Sequence, residues 1–393
     1  MLFKQAVLSV GITLCILQTG VYGACNGDIK INSQGDLDQL KLCKTYGGNI
    51  AVEQTAMAEL KLQGVEVLQG DLTISSNDGL QRISFPSLQG INGQLRLLNN
   101  KALNTLEMPQ LTALRNFELS VLPALNEVKF PAGLNQVEQF SMADTTVARL
   151  EGLKMSGIKD LSITNNIYLK QLAIGNLTKI SGSLTVSANS PNLNVDFNSI
   201  QAMSVGTFRN LAGISLKELR QVSGDISFIT NTFTTLELPA ITGVAGTLTI
   251  ADNIRLNNLS LPSLSHLGGA LSVSGNNELT VVDAFPRLEE VDGTLDIVGN
   301  FDQVDLPYLA DVRGGLNVQT SSSHFSCEAI NQLKKGVIKG NLFACKASVA
   351  KPKSGLRTGK GFDDESSAVS ALSYSSQGGL FFGLCFTIFY ILC

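Results

Sequence analysis

The sequence has 393 residues but no tryptophan and only two histidines, His266 and His324. Without tryptophan, a stacking platform for sugar rings would depend on tyrosine alone. Two isolated histidines leave little material for a general base or a histidine-rich metal site, so we predict no cofactor and no metal. Charge is also sparse: 16% of residues are charged and the formal net charge is −4. The chain therefore lacks the basic surface that nucleic-acid-binding proteins need.

Charge is nearly absent from the N-terminal segment. A lone Lys4 precedes an apolar run over residues 6–17, which is too short to span a bilayer. Small residues follow at the positions that a signal peptidase reads. The pattern predicts a secretory signal peptide over residues 1–23, cleaved after Gly23, with a buried N-terminal helix as the alternative.

The C-terminal segment has no charged residue from Ser366 onward, and residues 380–393 are almost wholly apolar. This apolar tail is shorter than the ~20 residues of a spanning helix. Small residues at 366–368 and an uncharged spacer precede it, as in a glycosylphosphatidylinositol (GPI) signal. We predict lipid attachment at Ser366, with Ala368 as the alternative residue, and removal of residues 367–393 as a propeptide. A tail-anchored helix and an unprocessed C-terminus are the competing interpretations.

Four of the seven cysteines remain once both processing segments are removed. They form two local pairs, Cys25 with Cys43 and Cys327 with Cys345, each 18 residues apart in the chain. In a secreted protein an even number of cysteines predicts disulfides, and this spacing is too wide for a CxxC metal or redox motif. The pairs enclose nearly 300 residues without cysteine, so the disulfides are expected at the two ends of the fold.

An internal repeat of 21 to 24 residues fills the interval between the cysteine pairs. Each unit has a glycine, an apolar-x-apolar strand, an asparagine and a second apolar strand. The first strands are predicted to begin at Ile29, Ile50, Leu72, Leu95, Phe117, Phe140, Leu161, Leu184, about Phe208, Ile226, Leu248, Leu271, Leu295 and Leu316. Glycine lies two residues before seven of them, where a side chain would clash or φ would be positive.

Asparagine and proline mark two further corners. The asparagines, each five residues after the first strand residue, are Asn77, Asn100, Asn166, Asn189, Asn231, Asn253, Asn276 and Asn300. We interpret them as a structural ladder of stacked amides, whose members tolerate a left-handed backbone, rather than as ligand contacts. The prolines are Pro86, Pro109, Pro131, Pro239, Pro262, Pro286 and Pro307. Because proline cannot donate to a sheet ladder, we expect it where the second strand begins.

A single coil of this kind cannot bury its apolar side chains, but stacked coils can. We therefore predict an all-β fold, a right-handed parallel β-solenoid of about fourteen coils over residues 24–345. Thirteen steps of ~4.8 Å give a body roughly 60 Å long. The disulfides would cap its ends, and residues 327–333 are expected to form a short helix. Residues 346–366 follow as a short charged linker, whose basic residues we interpret as a solvated segment.

The outward residue of each first strand is where an enzyme would place its catalytic groups. From the third coil onward these residues are Thr73, Arg96, Glu118, Ser141, Ser162, Thr185, Arg209, Ser227, Thr249, Ser272, Asp296 and Asn317. The two carboxylates, Glu118 and Asp296, lie eight coils apart, or about 38 Å. Paired glycosidase carboxylates lie within about 10 Å. No GxSxG motif occurs either, so we predict that the protein is not an enzyme.

The GDL-x-I-x-x-N unit at residues 70–88 and the matching unit at residues 246–264 resemble the receptor L-domain type of leucine-rich repeat. Together with the signal peptide, the terminal cysteine pairs and the C-terminal tail, they resemble the fungal GPI-anchored cell-wall organisation proteins, which include sporulation-specific wall proteins. The resemblance implies a non-enzymatic surface glycoprotein required for wall organisation, integrity and morphogenesis. It implies attachment to the outer leaflet of the plasma membrane, or transfer to wall glucan.

Two alternatives stay open. The first is a receptor-like module that binds a glycan or a protein through its Ser/Thr/Asn-rich face, and the second is a β-helical enzyme acting on polysaccharide. Two sequons, at Asn176 and Asn258, predict N-glycosylation in either case.

Overall fold

A ladder of fifteen short parallel strands, one from each coil, runs through the fold. The computed structural model describes residues 25–172 and 174–355. We number the strands of this ladder as rungs 1 to 15. In order, they are Ile29–Ile31, Ile50–Glu53, Leu72–Ser75, Gly90–Leu98, Ala113–Leu122, Gln139–Thr145, Asp160–Thr164, Lys179–Ser187, Ala202–Arg209, Ile226–Ile229, Leu248–Ala251, Leu271–Ser274, Leu295–Gly299, Leu316–Thr320 and Phe343–Lys346.

The other strands of the coils stack in the same parallel way. Two-residue strands that precede the rungs join the same sheet: Thr45–Tyr46, Val67–Leu68, Gly157–Ile158, Gln221–Val222, Gly243–Val244, His266–Leu267, Glu290–Val291 and Asp311–Val312. A second face carries five smaller sheets. Two have three strands each: Glu59–Lys61, Arg82–Ser84 and Thr105–Glu107 in one, and Glu127–Leu134, Arg149–Leu153 and Gln171–Leu172 in the other. Three have two strands each: Asn194–Asp196 with Gly213–Ser215, Thr235–Glu237 with Asn258–Ser260, and Val281–Val282 with Gln303–Val304.

This architecture confirms the predicted parallel β-solenoid with a disulfide near each end. All fourteen predicted first strands are present as rungs, and Phe343–Lys346 adds a fifteenth. The right-handed winding and the length of the body stay predictions.

Rung 9 begins its inward pattern at Gly206 rather than near Phe208. Gly206 pairs with both Leu184 and Ile226, so it occupies the first inward position of its coil. A Cβ at Gly206 would lie 2.8 Å from Met203 Sδ and 3.1 Å from the ring of Phe208. These two large side chains fill the space that an apolar residue fills in other coils, which is why the apolar pattern appeared to start two residues later.

The core is one continuous column of apolar side chains between the two faces. Inward residues of the rungs alternate with outward ones, and pairs such as Leu72 and Ile74 are at most 1% exposed. Near rungs 5 and 6 the column widens around Phe117, Phe130 and Phe140, whose ring centroids are 5.2 to 6.5 Å apart. Each coil supplies only a slice of this core, so burial is complete only when the neighbouring coils are in place.

A left-handed residue lies at the C-terminal end of each of eleven successive rungs, from rung 2 to rung 12, either within the last two residues of the rung or directly after it. We call these residues the left-handed row. Ten of these residues carry a side chain, with φ between 52° and 58°: Gln54, Ser76, Asn99, Val121, Asp144, Asn165, Ala188, Asn210, Thr230 and Asp252. The eleventh is Gly275, with φ of 68°. The left-handed position therefore precedes the ladder asparagine by one residue, and the ladder asparagines themselves are not left-handed. The prediction that they use this backbone conformation is wrong.

Proline does not mark the start of the second strand, since Pro131 lies within the strand Glu127–Leu134 and the other repeat prolines follow the strand where their coil has one. Pro239, for example, follows the strand Thr235–Glu237, and the N–H of Ile241 donates to the carbonyl of Leu238 at 3.4 Å. Proline thus occupies the second position of a β-turn, for which its fixed φ is suited. The same turn hydrogen bond follows Met108, Leu261, Phe285 and Leu306.

The two ends are closed by local structure that the disulfides hold in place. At the N-terminus, helix α1 (Gln34–Asp38) and a 3₁₀ turn (Gln39–Leu42) lie between Cys25 and Cys43. The backbone N–H groups of Asn32 and Ser33 donate to the Asp36 carboxylate and lower its pKa. At the C-terminus, helix α2 (Glu328–Leu333) starts directly after Cys327, and its disulfide partner Cys345 lies within rung 15.

The glycines before the rungs form a column with direct backbone contact from coil to coil. The N–H of Gly269 donates to the carbonyl of Gly246 at 3.0 Å, and the same bond links Gly293 to Gly269. A Cβ on Gly269 would lie 2.5 Å from the carbonyl carbon of Gly246. These glycines are therefore required by close packing and not by a positive φ.

We expect Gly269→Ala to lower the free energy of unfolding by about 1–3 kcal/mol, because backbone must move to accept the methyl group. Gly79→Ala is the matched control, since a Cβ there meets no atom within 4 Å. Chemical denaturation of the two variants measures the difference. Equal effects would show that the glycine column does not limit the spacing of the coils.

Candidate functional site

The outward residues of the rungs form a mostly hydroxylic stripe along the main sheet. Register pairing places Thr207, and not Arg209, between Thr185 and Ser227 in this stripe. The predicted position of Arg209 was wrong because the register of rung 9 was misassigned by two residues. Seven successive rungs thus present a serine or threonine: Ser141, Ser162, Thr185, Thr207, Ser227, Thr249 and Ser272. Thr73, Arg96, Glu118, Asp296 and Asn317 occupy the remaining outward positions as predicted.

The two carboxylates of this stripe do not meet. Glu118 lies on rung 5, and the Arg96 guanidinium on the adjacent rung donates to it at 2.7 Å. Asp296 lies on rung 13, eight rungs away, so the pair cannot act together on one bond. The acidic cluster at Glu289, Glu290 and Asp292 is likewise engaged elsewhere, since Asp292 pairs with Arg313 at 2.9 Å.

Asp296 is fully buried, although the sequence places it on the outward side of the sheet. Residues 347–355, which we call the C-terminal strap, return across the last rungs and cover it. Asp296 accepts hydrogen bonds from the Asn317 amide at 2.7 Å, the Ser354 hydroxyl at 2.5 Å and the N–H of Gly355 at 3.0 Å. The first part of the predicted linker is therefore packed against the solenoid.

Grooves on the surface of the described residues include one on each face of the solenoid. The first, of about 300 Å³, lies on the main sheet at rungs 4 to 7 and is lined by Gln94, Asn116, Phe117, Glu118, Gln139, Phe140, Ser141, Asp160 and Ser162. The second, of about 500 Å³, lies on the opposite face beside Pro86, Pro109 and Pro131. The first is lined by amides, carboxylates and hydroxyls side by side.

Hydrogen bonds order one wall of the first groove. Burial acts to raise the pKa of Asp160, but the Gln139 amide and the N–H and hydroxyl of Ser183 donate to its carboxylate and lower the pKa below the ordinary value. Asp160 is thus a carboxylate at neutral pH. Such a group can accept hydrogen bonds from ligand hydroxyls.

The asparagines form a buried ladder in three runs. Seven of the eight predicted members are at most 5% exposed: Asn77, Asn100, Asn166, Asn189, Asn231, Asn253 and Asn276. In each run the amide oxygen accepts from the residue one coil earlier, and the amide nitrogen donates to a rung carbonyl of the preceding coil. Asn253, for example, accepts from the N–H and the amide of Asn231 at 2.9 Å and donates to the carbonyl of Phe228 at 3.0 Å.

Each run of the ladder begins with a residue that is not asparagine. Thr55 and Thr145 begin two runs by donating both N–H and hydroxyl to the next asparagine, while Leu211 contributes its N–H alone. Asn300 is exposed and lies outside the ladder. Rung 13 has no left-handed residue at its end. As a result Phe301, the residue after Asn300, is buried in place of the asparagine.

The histidines and other candidate ligands lie apart. His266 contacts Glu290 at 3.3 Å, and His324 contacts Asp302 at 3.7 Å on a different coil. Within residues 25–172 and 174–355, no three His, Cys, Asp or Glu side chains gather as metal ligands. In the same part of the chain, both helices are far too short to cross a bilayer.

The predicted modification sites divide between the described and the remaining residues. The side chains of Asn176 and Asn258 are exposed, the first in a turn and the second at the start of the strand Asn258–Ser260. Ser366, Ala368, the signal peptide over residues 1–23 and the propeptide over residues 367–393 lie outside the described residues.

Comparison with known proteins links this solenoid to fungal surfaces. The chain is 31% identical over 332 residues to a cell surface GPI-anchored protein of Arthroderma benhamiae, covering 84% of this chain and 85% of that protein. It is also 31% identical over 356 residues to cell wall protein ecm33 of Schizosaccharomyces pombe, covering 89% of this chain and 83% of the relative. The chain belongs to the fungal family of GPI-anchored cell-surface and cell-wall proteins.

Membership in this family confirms the predicted resemblance to fungal GPI-anchored cell-wall proteins. Sporulation-specific protein 2 of Saccharomyces cerevisiae is 29% identical over 334 residues, covering 84% of this chain and 66% of that protein. No family model and no solved structure matches the chain. Its description as a leucine-rich repeat of the receptor L-domain type therefore stays a prediction.

Sequence reasoning missed the strap, the groove at rungs 4 to 7 and the left-handed row. The row was detectable in principle, since it occupies the residue before each repeat asparagine. The strap was not, because no periodic signal extends beyond rung 14.

We expect Asn253→Ala to lower the free energy of unfolding by at least about 2 kcal/mol, because it leaves buried donors of Asn231 and the carbonyl of Phe228 without partners. Asn300→Ala, at the exposed position of the same repeat, should change stability by less than about 0.5 kcal/mol. Equilibrium denaturation compares them. Similar losses at both positions would mean that the amide ladder adds no stability beyond surface asparagine.

Proposed function

We propose that the protein is a GPI-anchored surface glycoprotein without catalytic activity that supports organisation and integrity of the fungal cell wall. The observation that carries this proposal is the similarity to named cell-surface and cell-wall proteins over 84% to 89% of the chain. The matched region includes the solenoid, so the likeness is not limited to a processing signal. Lipid attachment at Ser366, with Ala368 as the alternative, would hold the mature protein at the outer leaflet.

The geometry supports a structural or binding role. Glycosidase chemistry needs two carboxylates facing one bond, whereas Glu118 is paired with Arg96 and Asp296 is buried under the strap. A capped stack of coils instead offers a long, stiff body with a polar face. Transfer from the lipid anchor to wall glucan would carry the same body into the wall, and we include it in the proposal.

A second candidate function is recognition of a glycan or a protein by the same surface. The groove at rungs 4 to 7 favours it, because it places Asn116, Gln139 and Asp160 beside hydroxyl side chains. Neutral sugars are bound by such amides and carboxylates. The groove lacks tryptophan and tyrosine, so binding there would depend on hydrogen bonds rather than on aromatic stacking.

A stop codon at Gln377 tests the anchor, because it removes the apolar tail and leaves Ser366 and the solenoid intact. At high salt, we expect the truncated protein in the medium, and we expect phosphatidylinositol-specific phospholipase C to release the full-length protein from membranes. In a strain that lacks the gene, the full-length chain should restore resistance to wall stress, and the secreted form should not. Retention of the truncated form on membranes at high salt, or recovery of residues 382–393 from the mature surface protein, would contradict GPI anchoring.

N-glycosylation is expected at both exposed sequons. Asn176→Gln and Asn258→Gln should each remove one glycan, seen as a mobility shift that disappears after enzymatic deglycosylation. Asn257→Gln is the control, since this neighbouring exposed asparagine is not in a sequon. Peptide mapping that finds both asparagines unmodified in secreted material would refute this assignment.

A further inference from the structure

Basic side chains are concentrated at the C-terminal end of the described chain. Residues 326–355 contain six lysines and one acidic residue, Glu328, whereas residues 25–325 contain 20 basic and 29 acidic residues. The six lysines are Lys334, Lys335, Lys339, Lys346, Lys351 and Lys353, and all are exposed. We call them the basic end face. Residues 25–325 taken together are therefore net acidic, whereas this end is net basic.

The first four of these lysines are fixed by the terminal cap. The Cys327–Cys345 disulfide ties helix α2 to rung 15, and Lys334 Nζ lies 5.2 Å from the centroid of the Phe343 ring. The N–H of Lys339 donates to the carbonyl of Val312 at 2.8 Å. Lys346 is the last residue of rung 15. These side chains thus project from an ordered surface.

The C-terminal strap holds the other two. The N–H of Lys353 donates to the Gln319 amide oxygen at 3.2 Å, and its carbonyl accepts from the Asn317 amide at 3.0 Å. The two residues that follow Lys353 bind the buried Asp296 carboxylate. Because of these contacts, Lys351 and Lys353 belong to the folded end of the solenoid rather than to a solvated linker.

Ion pairs among the described residues do not neutralise the charge of this face. The ion pairs found among residues 25–172 and 174–355 leave out all six lysines. Glu328 is the one carboxylate in the same stretch of chain. An anionic partner would therefore meet lysines whose charge is available for binding.

We propose that the basic end face binds phosphate-bearing headgroups of the membrane that carries the anchor. This inference rests on the proposed GPI attachment at Ser366, eleven residues after Gly355, which an extended chain can separate by at most about 40 Å. The tether thus holds this end of the solenoid within that distance of the anchor. Attraction of the lysines to headgroup phosphates would turn this end toward the membrane.

The direct test is vesicle binding by the secreted form that ends before Gln377. This form contains the complete core and both disulfides, so it should fold without the removed tail. Vesicles of phosphatidylcholine alone are compared with vesicles that also contain phosphatidylinositol. We expect binding to the phosphatidylinositol vesicles alone, and loss of that binding at high salt.

The triple variant Lys334→Gln, Lys335→Gln, Lys339→Gln should bind these vesicles about a hundredfold more weakly, at about fivefold per lysine. The matched control is Lys159→Gln, Lys170→Gln, Lys179→Gln, which makes the same charge change at three exposed lysines in the middle of the solenoid. The control should bind like the unchanged protein. Equal weakening by both triple variants would show an effect of net charge alone and would overturn the proposal.

Phospholipase treatment of cells distinguishes membrane binding by the basic end face from attachment by the GPI anchor. Full-length protein cleaved by phosphatidylinositol-specific phospholipase C should stay on membranes at low salt and leave at high salt, whereas the 334/335/339 variant should leave at low salt. If phospholipase releases no full-length protein from membranes at any salt concentration, the proposed GPI anchor is wrong. The vesicle experiment still decides whether the basic end face binds headgroups. Salt-sensitive binding to isolated cell walls but not to vesicles would identify an acidic wall polymer as the partner and refute membrane binding.

Discussion

Direct stacking of one coil on the next is the constraint on which the rest of this structure depends. Each coil buries its apolar side chains only against its neighbours, and the parallel hydrogen bonds hold only if successive coils follow the same path. The left-handed row shows how strict this requirement is. Val121 and Thr230 adopt positive φ, although β-branched residues disfavour it by on the order of 1–3 kcal/mol. Stacking therefore dominates over local preference, and the buried amide ladder beside this row helps to offset the strain.

The same constraint explains the ends. A parallel stack leaves an unpaired edge at each terminus, where another chain could pair. Here a disulfide-linked segment with a short helix closes each end, and both disulfides span 18 residues. At the C-terminus the strap adds a second cover and buries Asp296, a charge that needs its three hydrogen bonds because it has no cationic partner in the described structure.

Features that repeat were predictable from the sequence, and features made once were not. The inward leucines, the ladder asparagines and the packed glycines recur at a fixed spacing, so pattern alone located them. Rung 9 was misaligned because Gly206 gives no apolar signal where Phe208 and Met203 fill the space. The strap depends on single contacts of Asp296, Asn317 and Gln319, for which no period exists. The left-handed row was not predicted because its side chains differ from coil to coil, although their backbone conformation is the same.

This separation between repeated backbone and variable surface also bears on function. A rung presents its outward side chains about 4.8 Å from those of the next, on a nearly flat sheet, so groups from distant coils cannot converge on one bond. Catalysis needs such convergence, usually from long loops, and the turns between these strands are short. Recognition of an extended partner does not need it, because contacts can be repeated along the sheet. A solenoid with short turns, a hydroxylic stripe and a basic C-terminal end is therefore suited to spacing and contact at a surface.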